Sequence, residues 1–396
     1  MLTPQHGRAG GRTLALLGSL CLFLSGIEYL IPKPLPFMRI GLANLPLLLA
    51  LDLFTFKEFF LLALLKVLGQ GIIGGTLFSW VFLFSLAGTF ASAAVMYAVR
   101  AVLGKKYVGF VGIGCAGAMA SNGVQLALAR FLVFGPAALR YLAPPFLASG
   151  FVTGIALGLV CEYFCRCSGW YEQQRRNITT EYTELHGEKE NSFNVINNNL
   201  HEVSHNSVVL FCAGLVMAVI FVLSPLPARG VQFLFFCVLV GLMGKKINPL
   251  ITAAVMAGIV FFNLLAPYGK VLAVLGPLRI TQGSLLAGLE KALTLEGLLM
   301  LSRACIAGDL RLPGTVGSLM GESLRILELM REKKGLIRRG RIIDGIDRMI
   351  QEIEASDITE PANVPRTAPK RNVKNILLLG AIVLLTAGAF VFFITS

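Results

Sequence analysis

The chain has 396 residues, of which 55% are hydrophobic and 14% are charged. Soluble domains carry about 25% charged residues, so this composition excludes a soluble globular protein and predicts an all-α polytopic membrane protein. The formal net charge of +13 does not indicate nucleic-acid binding, because membrane proteins collect Lys and Arg in their cytoplasmic loops.

Six apolar segments fill the first 167 residues, and each is about long enough to cross a hydrocarbon core of about 30 Å. The connections between them are short, which favours antiparallel neighbours. The first segment is predicted to be a membrane helix and not a signal peptide, because no small-residue cleavage site follows it. Residues 1–167 are therefore expected to form a six-helix membrane domain, with segments at 13–31, 38–55, 58–77, 79–103, 107–134 and 142–165.

The basic residues predict how this domain is oriented. They cluster before the first segment, between the fourth and fifth segments, and after the sixth. Because such clusters stay on the cytoplasmic side, the N terminus and the end of the domain are both expected in the cytoplasm. The residues concerned are Arg8, Arg12, Arg100, Lys105, Lys106, Arg166, Arg175 and Arg176.

A polar break separates this domain from a second apolar block. Residues 168–207 are rich in Asn, Glu and Thr without a sustained apolar period, which is typical of a flexible cytoplasmic linker. Residues 208–308 are predicted to be a second membrane domain. Its segment 270–281 is short and broken by Gly and Pro. Its last helix, 283–307, carries charges that cannot all face lipid, so it either packs within protein or lies partly in the membrane interface.

The C-terminal part combines a coupling region with a membrane anchor. Residues 309–372 contain two amphipathic helices, near 316–334 and 340–355, whose apolar stripes are expected to pack on a partner or lie on the membrane surface. Residues 373–396 are predicted to be a C-terminal membrane helix that starts in the cytoplasm.

Polar and charged side chains recur within the apolar segments of the first domain. Such residues usually face the bundle interior and mark a ligand site or a pathway. The alternative is that they join helices through hydrogen bonds, or that an arginine near a helix end extends to the membrane interface. The candidate substrate-binding residues are Glu28, Arg39, Asn44, Lys66, Gln70, Asn122, Gln125 and Arg130.

The sequence does not predict a catalytic, cofactor or metal site. Prenyl chain elongation needs carboxylates that hold Mg²⁺, and the chain offers only Asp344 and Asp347 at close spacing, on a helix that is dense in Arg. This pair is expected on a solvated helix face. No G-x-x-x-x-G-K-[ST] loop is present, and the Cys-rich run "CEYFCRC" has no second ligand pair for a metal. An enzyme is therefore not favoured.

Four stretches resemble a known family: "MRIGLANLPLLLALDLF", "KEFFLLALLKVLGQGIIGGTLFS", "SLAGTFASAAVMYAV" and "GAMASNGVQLALARFLV". They are similar to the family of heptaprenyl diphosphate synthase component I, also called the Gx transporter family, over about residues 13–165. Lys66 stands where that family is expected to have Arg, and Ser121 where it is expected to have His. The resemblance implies a multi-pass protein of the bacterial cytoplasmic membrane.

That family in turn resembles the substrate-capture components of energy-coupling-factor transporters, and the second half weakly resembles their transmembrane coupling component. The resemblance implies a transporter component that binds a small molecule near the outer face. It also implies docking of separate ATP-binding cassette ATPases on residues 316–355. Two alternatives remain: a non-catalytic membrane subunit for polyprenyl diphosphate synthesis, and a scaffold without a ligand.

Overall fold

The computed structural model describes most of the chain in eight stretches. Within them it contains thirteen α-helices and one two-stranded sheet, so the chain is an all-α polytopic membrane protein, as predicted. The predicted C-terminal membrane helix lies outside the described residues. The described stretches are 10–29, 41–134, 136–184, 205–245, 248–275, 278–305, 314–337 and 342–356, with the single positions 380 and 388.

The first module holds six helices that follow one another closely in the chain. Four of them contain stretches that are long and apolar enough to cross a membrane: 11–28, 80–104, 110–132 and 139–167. The helices are α1 (Gly11–Tyr29), α2 (Leu45–Ala50), α3 (Phe56–Gly74), α4 (Trp80–Tyr107), α5 (Phe110–Leu132) and α6 (Pro136–Cys167).

The second predicted segment is not a continuous spanning helix in its described part. Gly41 has a positive φ of 88°, and residues 42–44 form a single 3-10 turn before α2 begins. Pro46 sits in the first turn of α2, where its missing N–H costs no helical hydrogen bond. A helix of six residues spans about 9 Å, which is far less than a bilayer. The prediction of a membrane-spanning helix over 38–55 is therefore wrong from residue 41 onward.

Glycines allow α5 and α6 to pack with their backbones in contact. A Cβ at Gly154 would lie 2.7 Å from the Cα of Cys115, and a Cβ at Gly158 would overlap the Cα of Val111. Small residues at membrane helix interfaces permit this close approach, which strengthens van der Waals contact. The Gly- and Ala-rich sequence of α5 is thus explained by packing against α6.

The second module is a bundle of four helices in which α11 is central. These are α8 (His205–Leu223), α9 (Leu226–Leu242), α10 (Pro249–Leu264) and α11 (Gln282–Cys305), and α11 packs against the other three. The segment without a clear span by sequence contains two antiparallel strands that form a β-hairpin, β1 (Val271–Leu275) and β2 (Leu278–Thr281).

Charges on α11 are met by partners inside the protein. Glu290 forms an ion pair with Arg229 of α9 at 3.0 Å. Lys291 donates a hydrogen bond to the side-chain oxygen of Asn263 at 3.2 Å. Glu296 is buried within the module. The second half of α11 therefore packs within protein, whereas Glu290 in its first half is exposed, and a position of that half in the membrane interface stays a prediction.

The coupling region covers α1 of the first module. Its helices are α12 (Gly314–Glu332) and α13 (Ile342–Ser356), and the predicted apolar stripes of both are buried. The stripe of α12 packs on α1 and α3. A Cβ at Gly18 of α1 would lie only 2.8 Å from the hydroxyl of Ser323. The partner of these stripes is thus the chain itself.

A further helix, α7 (Gly169–Glu184), occupies the first part of the predicted linker. Trp170 and Tyr171 are buried in the core that α13 also joins, and the amide of Gln174 donates to Glu354 at 3.0 Å. The expectation of a flexible linker therefore fails over 169–184, because a tertiary contact with α13 supplies the apolar partner that the local sequence lacks. Residues 185–204 lie outside the described residues.

Asp347 of α13 caps the N terminus of α7 from a distant part of the chain. Its carboxylate accepts hydrogen bonds from the backbone N–H groups of Gly169 at 3.2 Å and Trp170 at 3.3 Å, and from the hydroxyl of Ser168. A carboxylate is stabilising at a helix N terminus because the orphan N–H groups carry partial positive charge. Asp344 is exposed, as predicted, whereas Asp347 is half-buried and joins the coupling region to α7.

Replacing Gly158 by Ala should lower the thermal stability of the protein. The added methyl group would meet the backbone of Val111, and overpacking of this kind typically costs about 1–3 kcal/mol. The matched control is Gly123→Ala on α5, where a Cβ meets nothing within 4 Å. Melting in detergent, followed by size exclusion, should show a lower Tm for the first variant alone. Equal Tm values would contradict the close packing of α5 and α6.

Replacing Asp347 by Asn should loosen the first turn of α7. Loss of a charged cap costs about 1 kcal/mol, which corresponds to roughly fivefold faster local opening. Hydrogen–deuterium exchange of the amides at 169–171 measures this opening. Asp344→Asn, on the exposed side of the same helix, should leave the exchange unchanged. Identical exchange in the two variants would show that the cap does not hold α7.

Candidate functional site

Lys66 is the centre of a buried polar cluster between α2, α3 and α4. It lies near the middle of α3 and is 3% exposed. Its ammonium group donates hydrogen bonds to the side-chain oxygen of Asn44 and to the hydroxyl of Thr89, the latter at 3.4 Å. A cation inside an apolar bundle is costly to desolvate, so these contacts supply part of the hydration that it loses.

The cluster extends by one helical turn along both helices. Gln70 follows Lys66 by four residues on α3, and Ser85 precedes Thr89 by four on α4. The hydroxyl of Ser85 donates to the side-chain oxygen of Gln70 at 3.4 Å. Residues four apart share one face of a helix, so the two pairs form a polar strip between α3 and α4. The polar cluster consists of Asn44, Lys66, Gln70, Ser85 and Thr89.

Glu28 is joined to the cluster through the turn at Gly41. Its buried carboxylate accepts a hydrogen bond from the backbone N–H of Gly41 at 3.2 Å. The N–H of Asn44 in turn donates to the carbonyl of Gly41 at 2.7 Å. The left-handed conformation of Gly41 thus sets the direction in which Asn44 leaves the turn and reaches Lys66.

Gln125 lies beside the cluster, across α4. Its amide nitrogen donates to the hydroxyl of Ser121 at 3.0 Å, and a Cβ at Gly88 would lie 2.5 Å from that nitrogen. The side-chain oxygen of Gln125 is buried and accepts no hydrogen bond from the described residues. Its amide could also bind Ser121 through this oxygen, because the two ends of an amide are interchangeable in shape, so Gln125 is explained by its contact with Ser121.

The other candidates lie apart from the cluster. Asn122 faces α6, where its amide donates to the carbonyl of Phe146 at 2.8 Å. This contact is a hydrogen bond between helices, the alternative to ligand binding that the sequence left open. Arg130 is exposed in the last turn of α5. Arg39 lies outside the described residues. A role in substrate binding stays a prediction for all eight candidates.

Thr89 and Ser85 were not among the residues singled out by sequence. Their signal was present: Ser85, Thr89 and Ser92 are spaced by four and three residues on an otherwise apolar helix, which places them on one face. Hydroxyl groups are common on membrane helices as interhelical donors, so the spacing alone did not separate them from ordinary packing residues.

The cluster favours binding over covalent chemistry. It supplies a cation, two amides and two hydroxyls, and Glu28 adds a carboxylate at the end of α1. These groups donate and accept hydrogen bonds to a polar ligand, but they contain no nucleophile paired with a base. Among the described residues, no three His, Cys, Asp or Glu side chains come together in a way that could hold a metal ion.

A half-buried charge pair lies outside the cluster and is structural. Arg100 of α4 donates three charge-assisted hydrogen bonds to the carboxylate of Asp52, which follows α2, at 2.6, 2.8 and 3.1 Å. The guanidinium also lies over the ring of Phe110, 5.4 Å from its centroid. This pair closes the turn between α2 and α3 against α4 and α5.

Two different family models match the two modules, and the gap between the matches falls where the structure divides them. Residues 17–164 match the family described as heptaprenyl diphosphate synthase component I. This confirms the family resemblance predicted for the first domain. Residues 206–307 match a different family, described as a domain of unknown function (DUF8519).

The component I match begins within α1 and ends within α6, and it includes the whole polar cluster. The second match covers α8 to α11 and ends before the coupling region. Comparisons of the chain with curated proteins and with solved structures give no match. The likeness to energy-coupling-factor components stays a prediction.

Proposed function

We propose that the protein is a membrane transporter component whose first module binds a polar small molecule at the polar cluster. The observation that carries the proposal is Lys66, a cation that is 3% exposed in the middle of an apolar helix bundle. Such a residue is expensive in a membrane, and the cost is usually justified by a ligand or a transport pathway.

The orientation of the module belongs to the proposal. The N terminus faces the cytoplasm of a bacterium, in line with the distribution of Lys and Arg. Glu28, at the end of α1, and the turn at Gly41 then lie toward the outer face. A ligand from outside would enter past them and reach Asn44 and Lys66, which suits uptake.

The coupling region would bind separate ATPase subunits through its charged faces. Its apolar stripes are covered by α1, α3 and α7, so a partner would meet the remaining surface of α12 and α13. That surface carries Glu328, Arg331, Arg348 and Glu352. Binding through such charges would weaken with salt.

A second candidate is a non-catalytic subunit that assists a separate polyprenyl diphosphate synthase. It is favoured by the description of the family that matches residues 17–164. The buried cation of the cluster also fits a diphosphate group, because Lys binds phosphate as a point charge. The two candidates differ in the soluble partner that each requires.

Replacing Lys66 by Met should abolish the retention of a polar small molecule without unfolding the protein. Met fills a similar volume and buries no charge, while the side-chain oxygen of Asn44 loses one donor at a cost of about 1–3 kcal/mol, so size exclusion is used to show that the variant stays folded. The measurement is mass spectrometry of small molecules extracted from protein purified out of its native membrane. Lys57→Met is the control, because Lys57 is exposed at the start of the same helix.

Compounds retained by the wild type and Lys57→Met but missing from Lys66→Met would support the proposal. Identical extracts from all three proteins would contradict it and favour a scaffold. The proteins that copurify separate the two candidates: ATP-binding cassette subunits would support the transporter, whereas a prenyl synthase without them would support the second candidate.

A further inference from the structure

The β-hairpin between α10 and α11 is fixed at its base. The backbone N–H of Tyr268 donates to the hydroxyl of Thr281 at 3.0 Å, and the N–H of Gln282 donates to the carbonyl of Lys270 at 2.8 Å. A Cβ at Gly283 would lie 2.5 Å from the ring of Tyr268. These contacts therefore fix the direction in which the hairpin projects from the N terminus of α11.

Beyond this base, apolar side chains are exposed on both faces of β1. Val271, Leu272 and Val274 are 49%, 54% and 62% exposed. Successive residues of a strand point to opposite faces, so neither face of the strand is covered within the described chain. An isolated two-stranded hairpin is marginally stable in water, and one that exposes Leu and Val on both sides needs an apolar surrounding.

Two cations accompany these apolar side chains. Lys270 precedes β1, and Arg279 of β2 lies opposite Val274 in the register of the hairpin. Both are exposed. The described residues of the hairpin, 268–275 and 278–281, contain no Asp or Glu. A surface that is apolar and basic at once complements the interface of a membrane, where acyl chains meet phosphate groups.

The hairpin lies at the boundary of the apolar surface of the second module. It follows the C-terminal end of α10, where Phe261 is exposed, and it precedes α11, whose Leu286 and Leu289 are exposed in the first two turns. Arg229, Glu290 and Lys291 gather at the same end of the bundle, where a membrane-spanning module meets the headgroups. The exposed residues of the hairpin thus continue a surface that already faces lipid.

We infer that the hairpin is a lipid-docking element that inserts its apolar side chains into the membrane interface and binds the phosphates of anionic phospholipids through Lys270 and Arg279. It does not act through the polar cluster, so the inference stands independently of the proposed function. Each cation near an anionic surface contributes about 1 kcal/mol, which is roughly a fivefold effect on affinity per residue.

The insertion is tested with Leu272→Trp in the full chain, reconstituted in vesicles of phosphatidylcholine and phosphatidylglycerol. Asp344→Trp, at an exposed position of α13, is the aqueous control, and the wild type gives the signal of the natural tryptophans. Brominated phospholipids should quench the added tryptophan at 272, whereas iodide should quench the one at 344. Iodide quenching at 272, or protection from both quenchers by a protein partner or a second copy, would overturn the inference.

The headgroup preference is tested with the double variant Lys270→Gln and Arg279→Gln. Native mass spectrometry should show that the wild type retains phosphatidylglycerol in preference to phosphatidylcholine. The double variant should lose this preference by about 25-fold, as two cations of roughly fivefold each would give. Lys57→Gln is the matched control. An unchanged preference in the double variant would overturn the assignment of these two cations to lipid phosphate.

Discussion

The packing of α12 on α1 is the contact on which the arrangement of the protein depends. α1 is apolar between its charged ends, Arg12 and Glu28, and its buried residues are enclosed by α2 and α3 on one side and α12 on the other. Gly18 makes the close approach possible, since any side chain there would meet Ser323. Because α12 belongs to the C-terminal part of the chain, this contact closes a loop that runs from Gly18 to Ser323. It joins the first module to the coupling region, which lies outside both family matches.

The same contact brings the coupling region within a short distance of the polar cluster. A Cβ at Gly18 would touch Ser323 on one side and Leu62 of α3 on the other. Lys66 lies one turn further along α3. A shift of α12 would therefore act on α1 and α3, the two helices that carry Glu28 and Lys66. In a transporter component, a movement of α12 would in this way reach Glu28 and Lys66, the groups proposed to hold the ligand.

Sequence patterns predicted those features that depend on local apolar periodicity. The α-helical class, the long apolar helices and the apolar stripes of α12 and α13 all follow from spacing. The surface on which those stripes pack could not be predicted, because an apolar stripe indicates that a helix face is buried but not which element buries it. Helix α7 was missed for the same reason: its N-terminal cap, Asp347, is supplied from a position more than 170 residues away. Asn44 and Lys66 were both singled out by their polarity, but their contact depends on the turn at Gly41, whose positive φ only the structure gives.

The most direct test is a cross-link between α1 and α12. With Cys at both Gly18 and Ser323, the two Cβ atoms would lie 3.6 Å apart, within the range of a disulfide. A protease site placed in residues 185–204 would cut the chain between them. After mild oxidation in native membranes and cleavage, the disulfide should hold the two fragments together until a reductant is added. A control pair, Gly18→Cys with Glu328→Cys on the exposed side of α12, should separate at once. Separation of the Gly18–Ser323 pair to the same extent as the control would contradict the docking of the coupling region on the first module.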